Sequence, residues 1–201
     1  MSSPANYYHI YSASPDPCSI NESSLAEAEK TWLCRGCNGV KPSVTTVDVN
    51  IQENTPGNAP LNIVFGTGVA IARRDFLGEF GEAEVRNHFW LGRVLLSGGK
   101  EASDWTTYRG KKRVVVRGNK NVAHRYCPEC GQFLYYAAGP RYLCPMPPSD
   151  VSMFESDLQG LVLTKEVFVR LALRKWTKLF IEKLPVRSQP RDGLPVLIGE
   201  I

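Results

Sequence analysis

Cys34-Arg35-Gly36-Cys37 and Cys127-Pro128-Glu129-Cys130-Gly131 decide how this chain is read. Each is a C-x-x-C pair, and together they supply four thiolates, the number that closes a tetrahedral structural zinc site. In the second pair the two-residue spacer lets both sulfurs reach one ion, and Gly131 suits the tight positive-φ turn that follows. In the first pair Asn38 stands where that glycine would, and Gly39 comes one place late. Asn also tolerates the left-handed conformation, so the same turn can be made. Two such pairs are a strong metal signal where one alone is weak. Nearly half the chain separates them, far more than in a free-standing ribbon. One ion held by both pairs would staple the start of the domain to its later part. The expectation is one structural Zn2+ per chain, on Cys34, Cys37, Cys127 and Cys130; a redox C-x-x-C and two unrelated pairs are the competing readings.

Working outward, 201 residues are enough to bury a real core in a single domain, 1–201. The composition, 43% hydrophobic and 22% charged, is ordinary for a globular protein, and a net charge of +4 does not by itself point to nucleic acid. Met1-Ser2-Ser3-Pro4-Ala5-Asn6 has neither the basic nor the apolar part of a secretory signal. No apolar run approaches the ~20 residues of a membrane span, so no membrane partner is expected. The expected compartment is a reducing cytoplasm, where paired cysteines hold metal more often than they form disulfides. Cys18 and Cys144 are then spare thiols, with a substitute-ligand role for Cys144 as the alternative.

Tyr7-Tyr8-His9-Ile10-Tyr11 reads as a first strand and the Ser/Pro/Asp-rich stretch from Ser12 to Ser24 as a loop. Leu25 to Lys30 suggests one short helical turn before the first knuckle, 32–39. From Val44 to Ile51 the chain alternates, with Val47, Val49 and Ile51 on one face of a half-buried strand. A recurrence follows. Gly68-Val69-Ala70-Ile71-Ala72-Arg73-Arg74-Asp75-Phe76-Leu77 lines up with Gly160-Leu161-Val162-Leu163-Thr164-Lys165-Glu166-Val167-Phe168-Val169. Each reads as a strand running into a helix, with Ala72 or Thr164 at the boundary; Thr164 is the better cap. Further strands are expected at Phe89 to Leu96 and Leu179 to Val186. That makes one strand–helix–strand unit inside the inserted region 44–125 and another over 158–186. Gly78 and Gly81 weaken the first helix. Duplication and two ordinary packing units both account for the pattern.

Between the units, Val114-Val115-Val116 reads as a strand, Gly118-Asn119-Lys120-Asn121 as a turn, and Val122 to Tyr126 as a return strand into the second knuckle, 126–133. Arg109, Lys111, Lys112, Arg113, Arg117, Lys120 and Arg125 meet no acidic residue in this stretch. Gln132 to Tyr136 follows as a closing strand. Pro145, Pro147 and Pro148 make a rigid linker, and Val196-Leu197-Ile198 is expected to dock back on the body.

Catalytic patterns are lacking. His9, His88 and His124 lie outside any H-E-x-x-H, and no serine occupies a nucleophile elbow. His124, three residues before Cys127, is the one histidine near the metal, and as a ligand it would overfill the site. Four thiolates close the shell of a zinc and quench its Lewis acidity, so the metal is expected to be structural and the chain not an enzyme. The competitor is a zinc-ribbon nucleic-acid binder, in which the basic hairpin 109–125, with Trp105, Tyr108 and Tyr126, supplies cations for phosphates and faces for stacking. The same basic residues also serve as a solvated or partner-facing edge, which is the preferred reading. The expected fold is α+β: a mostly antiparallel sheet with a few helices, stapled by a zinc-ribbon-like site of four cysteines.

This layout resembles the double-CXXCG family of immunity proteins known chiefly from myxobacteria, and more broadly the immunity families of bacterial polymorphic toxin systems. The resemblance rests on the aromatic first strand, C-x-x-C, an alternating middle, C-P-x-C-G, and the Gly160 to Val186 unit ending in Leu184-Pro185-Val186. Asn38 departs from C-x-x-C-G. The resemblance implies a cytoplasmic, non-enzymatic protein, with Cys34, Cys37, Cys127 and Cys130 as ligands, that binds one cognate toxin and occludes its active site or substrate groove. Arg109, Lys111, Lys112, Arg113, Arg117 and Lys120 are the first candidates for the toxin-facing surface, because a basic patch complements a carboxylate-rich site.

Overall fold

The computed structural model describes residues 6–12, 18–172 and 176–191, without the side chains of 121–124, 135–137 and 172. The element order is β1 (Tyr7–Ser12), α1 (Glu22–Thr31), β2 (Val49–Asn50), β3 (Leu61–Val64), β4 (Val69–Arg73), α2 (Arg74–Gly78), α3 (Glu82–His88), β5 (Phe89–Gly92) and β6 (Val94–Leu95). It continues with β7 (Trp105–Gly110), β8 (Arg113–Val114), β9 (Val116–Tyr126), β10 (Phe133–Leu143), β11 (Met153–Ser156), β12 (Leu161–Thr164), α4 (Lys165–Ala172) and β13 (Leu179–Leu184). The fold is α+β, and its sheets are mostly antiparallel, as expected; β2–β6 and β8–β11 are parallel pairs. Among the described residues no helix is long and apolar enough to cross a membrane.

Two sheets carry the architecture, in the orders β3-β4-β7-β5 and β11-β12-β1-β13, the second extended by β8 beyond β11. Written this way they are the same object. In each, a hairpin (β3–β4 or β11–β12) runs straight into helix, and a crossover strand (β5 or β13) then lies two places away, parallel to the hairpin's second strand. A third strand, antiparallel to both, fills the gap. The loops 65–68 and 157–160 share a backbone bond: Thr67 donates to the Val64 carbonyl, and Gln159 to the Ser156 carbonyl. Gly160, at φ +87, lies so close against the Ile10 carbonyl that no side chain fits there.

The gap-filling strands differ in origin. β7, which follows the first unit in sequence, lies between β4 and β5; β1, from the N-terminus, lies between β12 and β13. The first sheet is therefore completed from one continuous stretch of chain, 61–110, whereas the second needs a strand from far earlier in the sequence.

Strand alternation sets the layers. Ala70 and Ala72 point to one face of the first sheet, Leu161 and Leu163 to one face of the second. These two faces share a central core with Phe76, Leu77, Phe80 and Val85 from α2, α3 and their link, and with Val167 and Leu171 from α4. The opposite residues, Val69 and Ile71, meet an outer core made by Ala28, Trp32, Val47, Val49 and Ile51. Val162 on the second sheet meets a smaller one with Tyr7, Val116, Leu143, Phe154 and Leu184. The alternation read at Val47, Val49 and Ile51 is thus a buried face, although only Val49–Asn50 is regular strand.

Three expectations are corrected. Leu25–Lys30 belongs to a ten-residue helix, because the Asn21 side chain accepts from the Ser23 N–H and caps it early. The first unit's helix is two pieces, with Gly81 at φ 90 starting the second. The turn expected at Gly118-Asn119-Lys120-Asn121 is the middle of an eleven-residue strand, and its hairpin partner is β10. The turn-forming residues there serve register shifts: Asn121 pairs with Ala137 and Ala123 with Tyr136, and a second shift lies between Ala138 and Arg141. The true turn of this hairpin is the second knuckle. Val196-Leu197-Ile198 lies outside the described residues.

Candidate metal centre

The two knuckles are built alike. In the first, the Cys34 N–H donates to the Gly39 carbonyl at 2.8 Å and the Asn38 N–H to the Cys34 carbonyl at 2.7 Å. In the second, Cys127 donates to Gln132 at 2.9 Å and Gly131 to Cys127 at 2.8 Å. Asn38 at φ 56 and Gly131 at φ 71 take the same left-handed step, so Asn38 does the work of the missing glycine.

The matching turns bring all four sulfurs within 4.8 Å of one another. Cys34 Sγ lies 3.7 Å from Cys127 Sγ, and Cys37 Sγ 3.8 Å from Cys130 Sγ, each pair 93 residues apart in sequence. A tetrahedron with metal–sulfur bonds of ~2.3 Å has edges of about 3.8 Å. A disulfide would bring two sulfurs to about 2 Å, and all four cysteines are free thiols. The site holds the right donors at the right spacing for one metal ion. Cys34 and Cys127 are buried, while Cys37 and Cys130 lie nearer the surface.

The knuckles also interlock through side chains that carry no sequence signal. Glu129 Oε2 accepts from the Gly36 N–H at 2.8 Å and sits 3.7 Å from Cys34 Sγ. A Cβ at position 36 would meet the Glu129 carboxyl at 2.8 Å, so a side chain there would push that carboxyl aside. Gln132 Oε1 lies 4.0 Å from Cys37 Sγ. The thiols differ in acidity. The backbone N–H groups of Cys130 and then Glu129 hold Cys127 down to about 7, whereas burial pushes Cys37 up to about 12 and Cys130 upward. Removing the proton from Cys37 therefore falls to a bound cation.

The other singled-out residues are scattered. The His124 side chain lies outside the described residues. His9 is buried, its Nε2–H donates to the Gln159 carbonyl at 2.6 Å, and burial lowers its pKa to about 4. His88 meets Ser152 Oγ at 2.9 Å and Glu84 at 3.4 Å. Cys18 and Cys144 are buried elsewhere in the chain and are not part of the four-sulfur cluster.

The basic stretch does not form one surface, which corrects the expectation of a continuous basic hairpin. Arg109 is buried and donates to the Lys41 carbonyl at 3.0 Å. Arg113 lies 3.4 Å from Glu155, with both side chains largely covered, and Glu155 also accepts from the Gly110 N–H at 2.9 Å. Arg117 is 1% exposed. Lys111 is tied to the Arg86 carbonyl at 2.7 Å. Lys112, Lys120 and Arg125 remain exposed. Sequence reasoning missed Glu155 because it lies far along the chain and reaches Arg113 only through the β8–β11 pairing.

No protein-family model and no curated protein sequence matches the chain.

Proposed function

We propose that this chain is an immunity protein of a bacterial toxin system: a cytoplasmic, non-catalytic inhibitor that binds one cognate toxin and occludes its active site, with a structural Zn2+ on Cys34, Cys37, Cys127 and Cys130. The observation that carries the reading is the convergence of two like-built C-x-x-C knuckles on one set of four sulfurs within 4.8 Å of one another. That convergence is the feature on which the resemblance to double-CXXCG immunity proteins rests. An all-thiolate tetrahedral set suits zinc, and its binding energy would count as folding energy. A rigid scaffold is what an inhibitor needs, because surface already ordered before docking loses less entropy on binding.

The alternative, a zinc-ribbon nucleic-acid binder, needs many free cations in one place. Protein–DNA contacts commonly neutralise roughly 6–10 phosphates. With Arg109 and Arg117 buried and Arg113 largely covered against Glu155, stretch 109–125 offers too few.

The test is co-expression with the large protein encoded beside this chain's gene. Survival of cells that the neighbour alone kills, together with a stable complex of the two, is the expected result. Continued killing with no complex would sink the reading.

A further inference from the structure

One part of the chain stands outside the two main sheets. The ribbon β9–β10 forms a two-stranded sheet of its own. Among its described side chains, those at its lower end, Val116 and Leu143, enter a core. An isolated two-stranded ribbon is marginal in water, yet this one is fixed at both ends. At the base the Leu143 N–H donates to the Pro185 carbonyl at 2.9 Å and Arg141 pairs with Glu182 at 3.4 Å. At the tip the Cys127 and Cys130 sulfurs meet those of Cys34 and Cys37.

The ribbon's charge is one-sided. Val116–Tyr126 and Phe133–Leu143 contain Arg117, Lys120, Arg125 and Arg141 and no acidic residue. Residues 120 and 125 would ordinarily sit on opposite faces of a strand. Here Asn121 pairs with Ala137 and Ala123 with Tyr136, so Val122 is an extra residue that shifts the parity. Lys120 then pairs with Ala138 and Arg125 with Leu134, four residues apart on the partner strand. The two cations share one face, about 13 Å apart along it. Both are exposed, and among the described residues neither forms an ion pair. Arg141 lies on the same face at the base, already paired with Glu182 and placed over the Tyr11 ring.

We infer that this face of the ribbon, centred on Lys120 and Arg125, is a docking surface for a carboxylate-rich protein surface. The inference rests on the immunity reading, in which the occupant is the acidic rim of the toxin's active site. Two free cations on a pre-fixed arm suit a few carboxylates at the edge of a protein interface and fall short of tracking a nucleic-acid backbone.

The experiment uses the metal-loaded full chain, Lys120→Glu/Arg125→Glu, and Lys100→Glu, at an exposed turn, as a control of charge reversal away from the ribbon. Metal content and circular dichroism establish that the variants are folded; both ribbon side chains are exposed, so folding is expected to survive. The probes are a short polyglutamate peptide, an oligothymidylate of equal length, and the protein of the neighbouring gene. Expected are binding of polyglutamate with amide shifts along β9 and β10, and a loss of about tenfold or more in the double variant but not in Lys100→Glu. Equal binding by the double variant, or preference for oligothymidylate with a steep salt dependence, overturns the inference. The neighbour protein separates the two proposals. If it binds wild type and double variant alike, the docking surface is wrong and the immunity reading stands. If it binds neither while polyglutamate still maps to the ribbon, the immunity reading fails and the surface stands.

Discussion

The two halves of the molecule repeat a scaffold and differ in what surrounds their knuckles. The first knuckle grows out of a core: Trp32 and Leu33 just before Cys34 are buried with Ala28, Val47, Val49 and Ile51 against the first sheet. The second knuckle caps a ribbon that reaches a core at its far, lower end. One knuckle is held by apolar packing that exists without a metal; the other has no comparable support among the described residues. A metal ion between them therefore lends the stability of the first half to the second. The repeat sets where the strands go, and the additions decide which surfaces are free.

The largest test of this asymmetry is metal removal. Chelation, or Cys127→Ser/Cys130→Ser, is expected to lower stability by more than about 3 kcal/mol. Hydrogen exchange should show β9 and β10 losing protection while the amides of β3, β4 and β7 keep theirs. Equal loss in both places would mean that the first knuckle has no independent support.

Next come the equivalent phenylalanines. Phe76 is fully buried and meets Phe80 and Trp176 edge-on, at centroid distances of 5.7 and 5.1 Å. Phe168 is half-buried and stacks on Tyr8 at 3.9 Å. Phe76→Ala is expected to cost about 4 kcal/mol and Phe168→Ala about half that, read by denaturant unfolding. Similar costs would break the distinction between the two helices.

The hairpin loops differ as well. Phe65 in the first is exposed, while the corresponding place in the second holds Asp157, whose Oδ1 accepts from the Val116 N–H at 2.8 Å. Burial pushes the Asp157 carboxyl up to about 6, against the pull of that hydrogen bond. A carboxyl whose folded pKa is raised binds its proton more tightly in the native state than in the unfolded chain. Its contribution to stability therefore falls as pH rises from about 4 through 6. Asp157→Asn, which keeps the acceptor, should add about 1 kcal/mol at pH 7 and nothing near pH 4. A gain that does not vary with pH would assign the effect to packing.

The smallest effects belong to the matched turn residues. Gly131→Ala is expected to cost about 1 kcal/mol and Asn38→Gly to change stability by less than about 0.5 kcal/mol. A large effect at Asn38, measured by thermal melts, would show that the two turns are not equivalent.

Much of this was legible along the chain, because it is written in local chemistry. The paired cysteines announced a four-sulfur site, and Asn38 announced its own left-handed turn. The Gly68 and Gly160 segments displayed their likeness in apolar spacing. The origin of the gap-filling strands left no such mark: β7 is buried along its whole length and β1 over half of it, yet neither sequence tells which sheet it joins. Gly118 to Asn121 misled because Gly and Asn serve bulges as readily as turns, and only the pairing with β10 tells them apart. The arginines misled for a related reason. Charge along a strand does not reveal that Glu155 or the Lys41 carbonyl waits inside the fold.

The place of β1 in the second sheet has a consequence for how the molecule is made. As the polypeptide leaves the ribosome, Tyr7–Ser12 is delivered long before its neighbours on both sides, Leu161–Thr164 and Leu179–Leu184. At synthesis rates of roughly 5–20 residues per second, an aromatic, aggregation-prone strand waits on the order of ten seconds without a partner. The first sheet, in contrast, closes as soon as Trp105–Gly110 emerges. Birth order thus builds the half with the deep apolar core first, and leaves the ribbon-bearing half, with the surface proposed for docking, to be finished last.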